Sequence, residues 1–163
     1  MFKINLKNII KNFTIILSIF LIDRFSKIYI LKMTEMENTL DIYVNSYLNL
    51  YLVWNKGIAF GLLSFNDTFI YNIVTSIIVL ITLVVLLIVT KSDGFQKYCL
   101  LAVLGGSWGN LFDRIYYSAV PDFIDFHIKN FHWFVFNLAD IFITLGIICL
   151  IFDEVFINNK KNG

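Results

Sequence analysis

Asp140 lies a few residues inside the last long apolar run of the chain, 134–152, where no other residue is charged. A carboxyl group at membrane depth is expensive, so it needs a partner or a task. Upstream stand Asp113 and a compact acidic stretch, Pro121-Asp122-Phe123-Ile124-Asp125. Two carboxyl groups held together cannot both ionise easily, so one rises in pKa and the pair shares a proton. The ionised partner then draws a proton from a bound water, while the protonated one donates to a scissile carbonyl oxygen. That is what an aspartyl protease needs, and it calls for no covalent intermediate, metal or cofactor. Residue types alone leave open whether Asp140 pairs with Asp113, Asp122 or Asp125. The competing reading of Asn137, Asp140 and Thr144, which share a face, is polar glue between helices. A carboxylate is a costly glue where serine or threonine would serve.

Other polar residues fall in or beside apolar runs. Asp23 and Lys27 are four apart, hence on one helix face and able to pair. Such a pair either orients helix packing or supports a polar site. Asn55-Lys56-Gly57-Ile58-Ala59-Phe60-Gly61 has the make-up of a turn, in which Asn55 can also offer its amide to a substrate backbone. Gly105-Gly106-Ser107-Trp108-Gly109-Asn110 contains G-x-S-x-G, which marks a nucleophilic serine only on a strand-to-helix elbow. Within an apolar helix, Gly105 and Gly109 instead spell the close-packing signature G-x-x-x-G. An intramembrane serine protease using Ser107, with His127 or His132 as base, is the alternative enzyme. Asn110, Asp113 and Arg114 line one face near the end of the same run. The last two are expected to mark its exit from the membrane, whereas Asn110 needs hydrogen-bond partners.

The elements that must position these residues follow from composition. The chain has 163 residues, of which 58% are hydrophobic and one is proline, and its mean hydropathy is +0.75. That much apolar surface implies an integral membrane protein. A net charge of +1 without a basic cluster gives no reason to expect a nucleic-acid partner. Runs at 13–31, 68–90, 98–112 and 134–152 predict four spanning helices in an otherwise all-α membrane protein, since a span takes about 20 apolar residues. Lysines 3, 7, 11, 91, 97, 160 and 161 then collect on one side and most acids on the other, which places both termini in the cytoplasm. The lysine-rich start resembles a signal peptide, but no small-x-small cleavage site follows, so 13–31 reads as a retained helix. The connection 33–67 is long enough to be functional. Within it, 40–44 and 47–54 read as strands joined by a turn at Asn45-Ser46. The second external segment, 115–133, carries both histidines. Cys99 and Cys149 read as reduced thiols, and nothing in their spacing suggests a metal site. No repeat or linker divides the chain, which reads as one domain.

Taken in order, these motifs resemble the lipoprotein signal peptidase (signal peptidase II) family of bacterial inner-membrane aspartyl proteases. Asp23-Arg24-Phe25-Ser26-Lys27 fits D-x-x-[ST]-K, and Asn55 through Phe60 fits N-x-G-x-[AS]-F. Gly105 through Arg114 fits G-G-x-x-G-N-x-x-D-R. Val120 through Ile124 fits V-x-D-F-I, and Phe136 through Asp140 fits F-N-x-A-D. Each is weak alone; five in order are specific. The resemblance implies that Asp122 and Asp140 are the catalytic dyad, and that Asn55, Gly57, Asn110, Arg114 and Asn137 position the substrate or the aspartates. Asp23 and Lys27 would stabilise the site. The implied substrates are prolipoproteins, cleaved just before a diacylglyceryl-modified cysteine near the outer leaflet. The strand-rich segment would form a cradle for them, together with a mobile loop in the second external segment. Membrane lipid is the other implied partner, and no cofactor is implied. Two positions depart from the family pattern: Pro121 replaces a small aliphatic residue, and Phe134 stands where a proline is common. A small proton-coupled carrier using Asp23, Lys27 and Asp140 is the non-enzymatic alternative. It would need polar residues along a path through the bilayer, whereas Asn110, Asp113, Asn137 and Asp140 gather towards one side.

Overall fold

In this computed structural model the described residues are 6–37, 41–57, 68–129 and 131–158. They form α1 (Leu6–Glu37), β1 (Asp41–Asn45), β2 (Leu48–Asn55), α2 (Thr68–Lys91), α3 (Gly94–Tyr117), β3 (Val120–Ile128), β4 (Phe131–Phe136) and α4 (Leu138–Phe152). A π-helical turn, Asp153–Asn158, continues α4.

Helix α3 is the hub, touching each of the other three helices. Its glycines explain how. A Cβ on Gly105 would come within 2.8 Å of the Ile19 side chain on α1, and one on Gly106 within 2.5 Å of the Ala139 carbonyl oxygen on α4. A Cβ on Gly109 would meet Asp23 Oδ2 at 2.5 Å. The stretch that reads as either a nucleophile elbow or a packing signature therefore packs: it lets α1 and α4 approach the α3 backbone. At the other end of the bundle Leu101 and Leu104 are fully buried, with Ile16, Val89 and Leu100 around them.

Outward faces are apolar. Phe69, Leu80 and Leu87 on α2, and Leu145 and Ile148 on α4, are more than half exposed. Among the described residues one helix, Thr68–Lys91, is long and apolar enough by itself to cross a bilayer. Two of the others fall short for visible reasons. Helix α1 carries Asp23, Arg24 and Lys27 mid-length. Helix α4 has 15 residues, about 22 Å at ~1.5 Å per residue against a ~30 Å hydrocarbon core.

A four-stranded antiparallel sheet, ordered β1-β2-β3-β4, accompanies the helices. The first hairpin matches the expected strands at 40–44 and 47–54, with Leu40 outside the described residues. Asn45 Oδ1 accepts from the Tyr47 N–H at 2.8 Å, a side-chain-closed turn. One face of the sheet, with Ile42, Leu50, Leu52 and Ile124, packs on Ile30 and Met33 of α1.

The second hairpin departs from expectation. The described residues of 115–133 form the end of α3, β3 and the start of β4, and the expected helix 134–152 begins four residues later, after β4. Ile124, Phe126 and Ile128 alternate with Asp125 and His127, a strand period masked by the proline and the acids. Pro121 pairs with Trp54 of β2, and the ladder to β4 stops at Ile124↔Phe136. The proline thus sits where β3 has one neighbouring strand, the position a residue without N–H tolerates. Helix α3 also runs past the expected end at residue 112, because Asp113 and Arg114 are buried rather than leaving the bundle.

Candidate active site

Helix α4 starts at a capping box. Asn137 Oδ1 accepts from the Asp140 backbone N–H at 3.1 Å, and Asp140 Oδ2 accepts from the Asn137 N–H at 3.2 Å. Asp140 is therefore a first-turn residue, where backbone N–H groups and the helix dipole favour a carboxylate. The expectation that Asp140 lies a few residues inside a helix starting at 134 is corrected on this point. Asn137-Leu138-Ala139-Asp140 carries the N-cap and N3 signal from which the start of α4 was legible.

Strand β3 brings Asp122 to the same place. Asn137 Nδ2 donates to Asp122 Oδ1 at 2.6 Å, so one asparagine holds both carboxyl groups. Asn55, at the end of β2, donates to Asp122 Oδ2 at 2.9 Å. From α3, Asn110 Nδ2 donates to Asp140 Oδ1 at 2.8 Å. Both acids are thus held by neutral amides. Burial, followed by the neighbouring Asp140 carboxyl, pushes Asp122 up to about 7; Asn55, Asn137 and Lys27 oppose the rise.

Behind the amides lies a second layer. Lys27 Nζ contacts Asp23 Oδ2 at 2.8 Å, Asp113 Oδ2 at 2.7 Å and Asn110 Oδ1 at 3.1 Å. The expected Asp23–Lys27 pair is thus one edge of a larger network. Arg24 pairs with Asp113 and lies over the Phe112 ring. Asp23 Oδ1 accepts from the Ala139 N–H at 3.0 Å, fixing the first turn of α4 beside Asp140. Sequence reasoning passed over Arg24 and read Asp113 either as an interface marker or as a candidate partner of Asp140. The available signal was the i, i+3 and i, i+4 run Asn110, Asp113, Arg114 facing the Asp23–Lys27 face.

Arg114 Nη2 donates to the Gly57 carbonyl oxygen, and the Gly57 N–H donates to Asn55 Oδ1 at 2.8 Å. The Arg114 carbonyl accepts from the Tyr71 hydroxyl. The expected site residues Asp23, Lys27, Asn55, Gly57, Asn110, Arg114, Asp122, Asn137 and Asp140 therefore form one connected cluster. Residues 58–60 of the Asn55 motif lie outside the described residues.

A cleft of about 340 Å³ opens onto this cluster, with Asn55, Asn110, Arg114, Asp122 and Asp140 at its polar end. Its remaining wall includes Ile78, Ile143 and Ile147. Ser107 also lines it, but neither histidine does. His127 and His132 sit beside Asp125 on the sheet, with His132 Nδ1 2.8 Å from Asp125 Oδ2. Of the three possible partners for Asp140, Asp113 is paired with Lys27 and Arg24, Asp125 faces the histidines, and Asp122 shares Asn137 with it.

Residues 15–156 match the family described as signal peptidase (SPase) II. A lipoprotein signal peptidase of Pelagibacter ubique (strain HTCC1062) is 55% identical over 161 residues, covering 99% of this chain and 97% of that protein. The lipoprotein signal peptidase of Anaplasma phagocytophilum (strain HZ) is 40% identical over 144 residues, covering 87% and 90%. Among solved structures, a bacterial membrane enzyme determined by the in meso method at 2.3 Å superposes with a TM-score of 0.70 at 23% identity. The match covers 89% of this chain and 87% of that one, and it shows the shared fold.

Proposed function

The chain belongs to the signal peptidase II family, and from that premise we propose that it is a membrane aspartyl endopeptidase whose catalytic pair is Asp122 and Asp140. Its substrates are prolipoproteins, cleaved just before the diacylglyceryl-modified cysteine. The observation that carries this reading is the shared Asn137, which holds one oxygen of Asp122 and caps the helix turn that presents Asp140.

The chemistry follows from a shared proton. Two buried carboxyl groups at close quarters retain one proton between them near neutral pH, in keeping with Asp122 at about 7. The ionised member takes a proton from water as the water oxygen attacks the scissile carbonyl carbon. The protonated member donates to the carbonyl oxygen, giving a neutral tetrahedral diol. Collapse breaks the C–N bond: a dyad proton passes to the departing amine of the modified cysteine while the other carboxylate takes back a proton from a diol hydroxyl, restoring the shared proton. Asn55, Asn110 and Asn137 orient both acids without contributing charge. Arg114 holds the Gly57 backbone beside them, where an extended substrate can run along the end of β2. The apolar wall of the cleft, with Ile78, Ile143 and Ile147, suits a signal peptide's apolar body.

The same proposal takes the whole chain as one integral membrane domain in the bacterial inner membrane, with four spans and both termini cytoplasmic. The polar cluster then lies near the outer leaflet beneath the sheet, with membrane lipid as the surrounding partner. What supports it is the segregation of polar groups to the sheet end, while Leu100, Leu101 and Leu104 pack with Ile16 and Val89 at the other. A carrier would need a polar path across that second half.

The test is cleavage of a diacylglyceryl-modified prolipoprotein by purified protein in detergent. Asp122→Asn and Asp140→Asn should each lower kcat by ~10²–10⁴-fold while remaining folded, and Ser107→Ala should cleave at the wild-type rate. Cleavage surviving in Asp140→Asn would sink the dyad. Loss in Ser107→Ala alone would turn the reading to a serine enzyme.

A further inference from the structure

On the face of the sheet turned away from α1, Asp125, His127 and His132 converge. Antiparallel register makes His127 and His132 direct cross-strand partners, and their rings stack with centroids 4.9 Å apart. Asp125 precedes His127 by two residues on β3 and shares its side of the strand. One ligand atom from each of the three lies within 4.8 Å of the others. Asp125 is fully buried, yet neither Lys nor Arg pairs with it among the described residues. Asp125 Oδ1 and His127 Nδ1 have no hydrogen-bond partner among the described residues. Asp125 Oδ2 is held by His132 Nδ1 at 2.8 Å, but a buried carboxylate oxygen and a buried imidazole nitrogen left without a partner are costly.

We propose that Asp125, His127 and His132 form a binding site for a divalent transition-metal ion, separate from the catalytic cleft. The donor set of two imidazoles and one carboxylate suits zinc and its neighbours rather than calcium or magnesium, which prefer all-oxygen shells. The Asp125–His127 spacing agrees with this. Donors at ~2.0–2.1 Å from a tetrahedral zinc lie about 3.4 Å from one another. Asp125 Oδ2 stands 3.4 Å from His127 Nδ1; it is 2.8 Å from His132 Nδ1, a direct hydrogen bond that an entering ion would replace and widen. A cleft of about 530 Å³ leads to the cluster from solvent, and Asp41, Asn49 and Tyr51 line it with Asp125 and His132. Asn49 Oδ1 is buried there with no partner among the described residues, a further oxygen to complete the shell. His132 is half-exposed and forms the way in. A bound ion would tie β4 to β3, the strand that carries Asp122.

The test uses full-length protein in detergent with any affinity tag removed. Zn²⁺ alone is titrated by calorimetry, and Co²⁺ alone is followed by visible absorption. One equivalent should bind, with a Co²⁺ band of low-coordinate geometry. His132→Ala should weaken Zn²⁺ binding by more than about tenfold, since even outer-sphere partners are worth 10–100-fold. His132→Cys, which restores a ligand, should recover the binding. Because His132 is at the surface, both variants are expected to fold, and thermal unfolding checks this. No saturable binding, or equal affinity in wild type and His132→Ala, would overturn the site. Binding lost in Asp140→Asn but kept in His132→Ala would put the ion at the dyad and overturn it as well.

Discussion

Two pairs of buried aspartates lie within one polar cluster and are treated in opposite ways. Asp23 and Asp113 are both in direct contact with Lys27, and Asp113 also with Arg24. Asp122 and Asp140 receive hydrogen bonds from Asn55, Asn110, Asn137 and a helix N-terminus. A cation in contact ties a carboxylate down by charge as well as by hydrogen bonds, whereas an amide orients it without adding charge. The first pair can therefore serve as foundation and the second as reagent. Lys27 joins them at one remove: it touches Asn110, which touches Asp140.

The sharpest way to break this division is to exchange the expected losses. Variants of Asp122 and Asp140 should lose cleavage and keep the fold. Lys27→Met should do the reverse first. It leaves Asp23 and Asp113 buried without their shared ammonium, and breaking a buried pair this way costs about 3–5 kcal/mol. Thermal unfolding in detergent should fall steeply, with activity lost as a consequence. A Lys27→Met protein of unchanged Tm would show that the ion pairs are not the foundation.

Much of this layout was legible in the sequence, and what was not has identifiable causes. Strands β1 and β2 follow from β-branched and aromatic runs around Asn45-Ser46, and the Asp23–Lys27 contact follows from helical spacing. Strands β3 and β4 did not, because Pro121, Asp122 and Asp125 masked a period-two pattern. Phe131–Phe136 also blended into the apolar run ahead of it. The helix that carries Asp140 was consequently begun too early, and Asn137 and Asp140 were read as helix-interior residues rather than as its capping box. The choice of Asp122 over Asp113 and Asp125 as the neighbour of Asp140 came from family resemblance. Local spacing could not supply it, because β3 pairing with β2 sets it through contacts distant in sequence.

A smaller perturbation tests whether the foundation positions the reagents. Gly109→Ala places a methyl group against Asp23 and near the Ala139 side chain, without touching either member of the dyad. Overpacking of this kind costs about 1–3 kcal/mol, so a modest loss of Tm is expected. Because Asp23 also holds the Ala139 N–H, kcat should fall with it while KM changes little. A drop in Tm with kcat intact would mean that the first turn of α4 keeps its place without Asp23.

The finest test concerns the amides themselves. Burial and Asp140 raise Asp122 to about 7, and the Asn55 hydrogen bond works against that rise. Below this value Asp122 keeps its proton and the pair holds the one proton that the reaction uses. Above it the second carboxyl ionises and the proton donor is lost, so kcat/KM should decline on the alkaline side. Asn55→Ala removes a donor that favours the ionised form. Asp122 should then hold its proton to higher pH, and the alkaline limb should move upward even as the maximal rate falls. A role confined to packing would lower the rate and leave the limb in place. A downward shift would mean that Asn55 favours the protonated carboxyl, and the contrast between cation-paired and amide-held acids would then need to be redrawn.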